Sequence, residues 1–112
     1  MIAEKLHAIE LLGMANSRMK DYLDLSVLIE RERLDMRILA SALRATFARR
    51  KTAMPSDWPI GLTDTFSADV TRQSIWNAFL RKNQLPAIAL SEVVMRLREA
   101  LAPALVGARG TE

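Results

Sequence analysis

Aliphatic side chains recur every three or four residues along most of this sequence, and the runs are separated by glycine, proline and asparagine. Ile2, Leu6, Ile9 and Leu12 make the first stripe. Tyr22, Leu25, Leu28 and Ile29 make the second, and Met36, Leu39, Ala40, Leu43 and Phe47 the third. That spacing places the apolar residues on one side of an α-helix, whereas a half-buried strand would need strict alternation. Half of the 112 residues are apolar but only 5% are aromatic, which suits helix packing better than a sheet sandwich. The expectation is a single all-helical domain of about five helices.

The boundaries follow from local chemistry. Helix one spans Ile2 to Met14, and Gly13, Asn16 and Ser17 form a short turn, with Ser17 as the acceptor for the free amides of helix two. Helix two runs from Arg18 to about Arg31, so residues 1–33 read as a helical hairpin and 34–107 as a C-terminal helical region. Asp35 caps a third helix that ends near Arg50. Residues 51–68 contain Pro55, Pro59 and Gly61, a long loop that is either functional or pinned by Trp58 and Phe66. A fourth helix starts near Asp69, carries Ile75, Trp76, Phe79 and Leu80 inward, and closes over Asn83 to Pro86. Ser91 caps the last helix, with Val94, Leu97 and Leu101 inward, until Pro103 and Gly107 weaken it. Residues 108–112 are expected to fray.

Several kinds of chemistry are excluded by residue type. There is no cysteine and a single histidine, His7, so disulfides, thiolate metal sites and a histidine-based zinc site are out of reach. His7 reads as an ordinary helix residue. Charge interrupts the N-terminus at Glu4 and Lys5, and no run approaches the ~20 apolar residues of a membrane span. The chain is therefore read as cytoplasmic, with no membrane partner. Net charge is +3, a mild excess that permits an anionic partner without requiring one.

The charges are ordered within the hairpin: Glu4 and Lys5 in helix one, then Arg18, Lys20, Asp21 and Asp24 in the opening of helix two. Helical rise puts Lys5 and Asp21 at levels ~8 Å apart along the hairpin. At that offset they could address opposite ends of an extended polyanion, the lysine on phosphate and the carboxylate near a metal or an attacking hydroxyl. The plainer reading is a set of solvated helix charges, with Lys20 and Asp24 an ordinary four-apart pair worth ~0.3 kcal/mol. A second cluster comprises Arg37, Arg44, Arg49, Arg50 and Lys51, with no acid between Met36 and Ser56. It is either a basic face that an RNA backbone could follow or a solvated face near a helix C-terminus. Trp76 reads as core, and Trp58 is left open between core and base stacking.

The strings Ala3-Glu4-Lys5-Leu6-His7-Ala8 and Ser17-Arg18-Met19-Lys20-Asp21-Tyr22-Leu23-Asp24-Leu25 resemble the later motifs of the AbiEii/AbiGii abortive-infection nucleotidyltransferase toxins, a branch of the polymerase-beta-like nucleotidyltransferases. Leu62-Thr63-Asp64-Thr65-Phe66, with Asp69, Gln73, Trp76, Phe79 and Leu80, is similar to the helical C-terminal region of that family. The resemblance implies transfer of a nucleotide from an NTP with Mg²⁺ to an acceptor, tRNA in some members, under the control of an antitoxin. It implies a role for Lys5 at the nucleotide phosphates and for Asp21 in catalysis, with Arg18 and Lys20 as nucleotide-binding neighbours and Asp24 in support. Arg44, Arg49, Arg50 and Lys51 are the candidates for RNA contact.

One departure is large. The family opens with a strand-borne Gly-Ser loop and a paired-acid metal motif, and no Gly-Ser dipeptide occurs in this sequence. One lysine and one aspartate cannot clamp metals and position both reactants. The chain is therefore expected to be inactive alone, a helical fragment of an α/β nucleotidyltransferase whose N-terminal half is encoded elsewhere, with Met1 an internal start. The alternative is a non-catalytic helical module that binds RNA or a protein partner, and a third reading is a gene remnant. Apolar surface left on helices one and two would favour dimerisation.

Overall fold

The computed structural model describes residues 2–109 and is helical with no strand among them. Six α-helices follow in order: α1 (Ile2–Leu12), α2 (Met19–Arg31), α3 (Met36–Arg49), α4 (Asp64–Ser67), α5 (Val70–Lys82) and α6 (Leu90–Arg109). Short 3-10 turns at Gly13–Ala15 and Ile60–Leu62 join them. The all-α expectation holds, with the short α4 added to the five longer helices.

One core runs through the molecule. Leu6 and Ile9 of α1, Tyr22 and Leu25 of α2, Leu43 and Phe47 of α3, and Val94, Leu97 and Leu101 of α6 are buried in it. The most extensive packing is α3 against α6, and α1 leans on both α3 and α2. The apolar stripes thus bury as their spacing requires, because each helix hides one face only.

Cap chemistry explains the helix starts. Asp35 accepts from the amides of Arg37 and Ile38, and Asp69 accepts from that of Arg72. The start of α2 departs from expectation: no side chain, Ser17 included, caps it, and Asn16 takes the Arg18 amide just ahead of the helix on its side-chain oxygen at 2.7 Å. Asn16 is fully buried, so its carbonyl faces the amide with no competition from water. Gly13 supplies the left-handed residue, at φ +54°, that turns the chain out of α1.

Helices α3 and α5 both stop through the same hydrogen-bond pattern. Lys51 and Gln84 take positive φ, 54° and 55°. The next amides, Thr52 and Leu85, reach back to Phe47 and Leu80 at 2.9 Å each, closing a Schellman motif without glycine.

Two further expectations are corrected. Helix α6 begins at Leu90, so Ser91 lies inside it, and it passes through Pro103 and Gly107 to Arg109. Pro103 faces solvent, where water can serve the carbonyl it leaves unpaired, while Leu101, Ala104, Leu105 and Ala108 stay buried around it. Packing outweighs the local penalty. Of the expected frayed tail, Ala108 is buried and Arg109 donates to the Pro55 carbonyl at 3.1 Å; residues 110–112 lie outside the described residues.

The long segment after α3 is pinned rather than loose. Phe66 is fully buried and stacks on Tyr22 at 5.4 Å, and Trp58 packs half-buried against the core. Gly61 lies so close to α1 and α2 that a Cβ there would stand 2.7 Å from both Ile9 Cγ2 and the Tyr22 hydroxyl. That hydroxyl donates to the Gly61 carbonyl at 2.8 Å.

Candidate functional site

Lys5 sits in α1 one residue before the buried Leu6, so its stem leaves the core edge toward α2. Asp21 and Asp24 sit on the facing side of α2. The Lys5 ammonium lies 3.4 Å from Asp21 Oδ1 and 3.0 Å from Asp24 Oδ2. The sequence had suggested that Lys5 and Asp21 point to opposite ends of a ligand; instead they touch. A flexible four-carbon stem spans the axial offset and satisfies two carboxylates at once.

Neighbouring charges complete the cluster. Lys20 also reaches Asp24 Oδ2, at 2.8 Å. Arg18 Nε approaches Asp21 Oδ2 to 3.1 Å, but off the hydrogen-bonding direction, so this buried oxygen has no hydrogen bond. Asp21 is only 4% exposed. A buried carboxylate oxygen served by charge alone retains an unused acceptor. The hydrogen bond from Lys20, then that from Lys5, holds the Asp24 carboxyl below the usual carboxylate range against the opposing effect of burial. The hydrogen bond to Asp24 is the main cause that raises the Lys5 ammonium pKa; partial burial opposes it and Asp21 adds to it.

Beside this cluster lies a shallow cleft of about 330 Å³ lined by Glu4, Lys5, Arg18 and Asp21. A second cleft of about 230 Å³ shares Glu4 and Arg18 with it and continues past His7, Leu11 and Leu12 to Arg50. The two clefts flank Glu4 and Arg18, between the Lys5 cluster and the end of α3.

The basic stretch of α3 is less free than its composition implied. Arg49 and Arg50 both pair with Glu4, at 2.5 and 2.8 Å. Desolvation raises the Glu4 carboxyl, but Arg50 and then Arg49 outweigh it and hold it below the usual range. Arg44 donates to the Gly107 carbonyl at 2.9 Å and so ties α3 to α6. Lys51 is exposed at the helix end.

Other contacts set the cluster's frame. His7 is buried, meets Phe47 edge-on at 5.2 Å and shares a 2.8 Å hydrogen bond with the Thr52 hydroxyl, which fixes α1 to the end of α3. Arg72 donates to the carbonyls of Met14 and Asn16 at 2.7 and 3.2 Å, clamping the turn that leads into α2. Burial is the main cause that pushes the Tyr22 hydroxyl well above its ordinary pKa; Asn16 opposes it and Asp21 adds to it. Tyr22 therefore stays a hydrogen-bond donor. Trp76 is core, its indole donating to the Ile88 carbonyl at 2.8 Å. Sequence reasoning missed the Glu4 clip and the Arg72 clamp; the only signal for either was charge.

Residues 1–102 match the family described as nucleotidyl transferase AbiEii toxin, type IV toxin–antitoxin system. The chain belongs to the AbiEii toxin family. No curated protein matches it, and no solved structure does. Residues 3–8 lie in α1 and residues 17–25 lead into and open α2, all within the matched 1–102. Among the described residues no helix is long and apolar enough to cross a membrane.

Proposed function

We propose that this chain is the helical side of a toxin-type nucleotidyltransferase that transfers a nucleotide from an NTP to an acceptor such as tRNA. The observation that carries the reading is the convergence of Lys5 on Asp21 at 3.4 Å, on an open cleft that Arg18 also lines. Lys5 and Arg18 are the phosphate-binding cations, and Lys20 adds positive charge at the same edge. Asp21 is the catalytic carboxylate, its Oδ1 on the Lys5 ammonium and its Oδ2 buried beside Arg18 Nε. Asp24 supports the site by holding the Lys5 ammonium when no anion is present.

Mg²⁺ does not fit these residues by themselves. No three His, Asp or Glu side chains gather among the described residues, and the two aspartates already face a lysine ammonium. A divalent cation beside that ammonium would be repelled. The metal-holding acids and the Gly-Ser loop are proposed to come from polypeptide outside this sequence, so the chain alone is inactive. The acceptor RNA would approach along the cleft that leads from Arg18 to Arg50, meeting Arg49, Arg50 and Lys51, with Arg44 farther along α3. The assignment of the family to a type IV toxin–antitoxin system supports a cognate antitoxin as the protein partner.

The test is a titration of the chain with an NTP, followed through its backbone amide resonances. Shifts gathered at residues 4–6 and 18–24, lost in Lys5→Ala, are expected. Shifts confined to α3, or unchanged in Lys5→Ala, would contradict the assignment.

A further inference from the structure

An open groove of about 490 Å³, with lining residues separate from those of the Lys5 cleft, runs between the start of α1, the end of α2 and the start of α3. Ile2, Leu28, Leu34 and Leu39 line its floor. Its lip is Ile38, which leaves 69% of its surface in water beside Ala42. Glu32 and Arg33 stand exposed on the rim and enter no ion pair among the described residues. An apolar groove, a projecting isoleucine and charges of both signs, Glu32 and Asp35 beside Arg33, thus share one small patch.

We infer that this groove is covered by a second copy of the same chain, related to the first by a two-fold axis near Ile38. A two-fold contact brings one patch against itself, so the patch must supply both the knob and the hole, and both signs of charge. This one does. Each Ile38 enters the other copy's groove, and each Arg33 faces Glu32 of the other copy. A nucleic acid is a poorer occupant, because Glu32 and Asp35 at the rim repel phosphate. A partner helix of a single charge sign would meet a like charge at either Glu32 or Arg33. The groove shares no lining residue with the clefts at Lys5, so the dimer stands or falls independently of the nucleotide reading.

Sedimentation velocity over a concentration series tests it, with Ile38→Asp, Glu32→Arg, Arg33→Glu and the double reversal beside the unsubstituted chain. The unsubstituted chain is expected to reach a reversible dimer. Ile38→Asp should raise the dimer dissociation constant about tenfold or more, with helical circular dichroism unchanged because the side chain is exposed. Each single reversal should weaken the dimer and the double reversal should restore it. A monomer at every concentration, a dimer indifferent to Ile38→Asp, or single reversals that the double does not rescue would overturn the inference.

Discussion

The Lys5 ammonium lies 3.0 Å from Asp24, closer than to Asp21. Asp24 therefore competes with any incoming phosphate for the same cation. Replacing it with Asn removes the competitor and keeps the shape. Asp24→Asn is expected to tighten triphosphate binding severalfold while Lys5→Ala abolishes it, both read from the amide titration. Equal or weaker binding by Asp24→Asn would show that Asp24 does not restrain Lys5.

The same pair sets a pH window. The Asp24 pKa is lowered from 3.8, so its contribution to stability is present above that value and is lost as pH falls through the lowered pKa. The Lys5 pKa is raised from 10.5, so its contribution is present below that value and is lost as pH rises through the raised one. Lys5→Met should cost about 0.5–1 kcal/mol at neutral pH and much less once Asp24 is protonated. Urea melts of both chains across pH check this, and a difference independent of pH would contradict it.

Gly61 is a packing constraint rather than a flexible point. Its substitution by Ala should destabilise the fold by about 1–3 kcal/mol, because the methyl would press on Ile9 and the Tyr22 hydroxyl. Tyr22→Phe should cost about 1–2 kcal/mol by leaving the Gly61 carbonyl without its donor. Thermal melts of the two variants measure both, and unchanged melting of Gly61→Ala would show that the segment moves aside.

The positive φ at Lys51 and Gln84 predicts gains rather than losses. Glycine adopts that conformation without the steric cost an L side chain bears. Lys51→Gly and Gln84→Gly should each stabilise the chain by about 0.5–1 kcal/mol, the relief of about 1–2 kcal/mol of left-handed strain less the entropy that glycine adds to the unfolded chain. Lys51→Gly should at the same time weaken RNA binding if Lys51 is a phosphate contact. Denaturant midpoints and filter binding separate the two effects.

RNA affinity should fall steeply with salt, and neutralising Arg49, Arg50 and Lys51 together should flatten that slope. Glu4→Gln should act in the opposite sense, because it releases Arg49 and Arg50 from their carboxylate partner. A flat salt response in the unsubstituted chain would remove RNA from the account.

Much of this fold is legible in the sequence where the physics is local. Asp35 and Asp69 cap because an aspartate needs only amides two or three residues ahead. The apolar stripes needed only helical periodicity. The ends of α3 and α5 fall within a residue of the expected Arg50 and Asn83, but the means does not show in the sequence, since Lys51 and Gln84 hold a conformation usually left to glycine; Pro103 continues a helix because its neighbours are buried. At the site, the order of charges in α1 and α2 was visible, but not the rotation of one helix about the other that closes Lys5 on Asp21 and Asp24. The Glu4 clip joins residues 45 and 46 positions apart, and no local rule reaches that far.

Nucleotide incorporation tests the central claim most directly. The chain is combined with a nucleotidyltransferase half that carries the Gly-Ser and paired-acid motifs, and transfer of label from an NTP to tRNA is followed. Activity absent from either part, present in the mixture, and lost with Lys5→Ala and with Asp21→Ala is the predicted result. Activity that survives both substitutions would contradict the account.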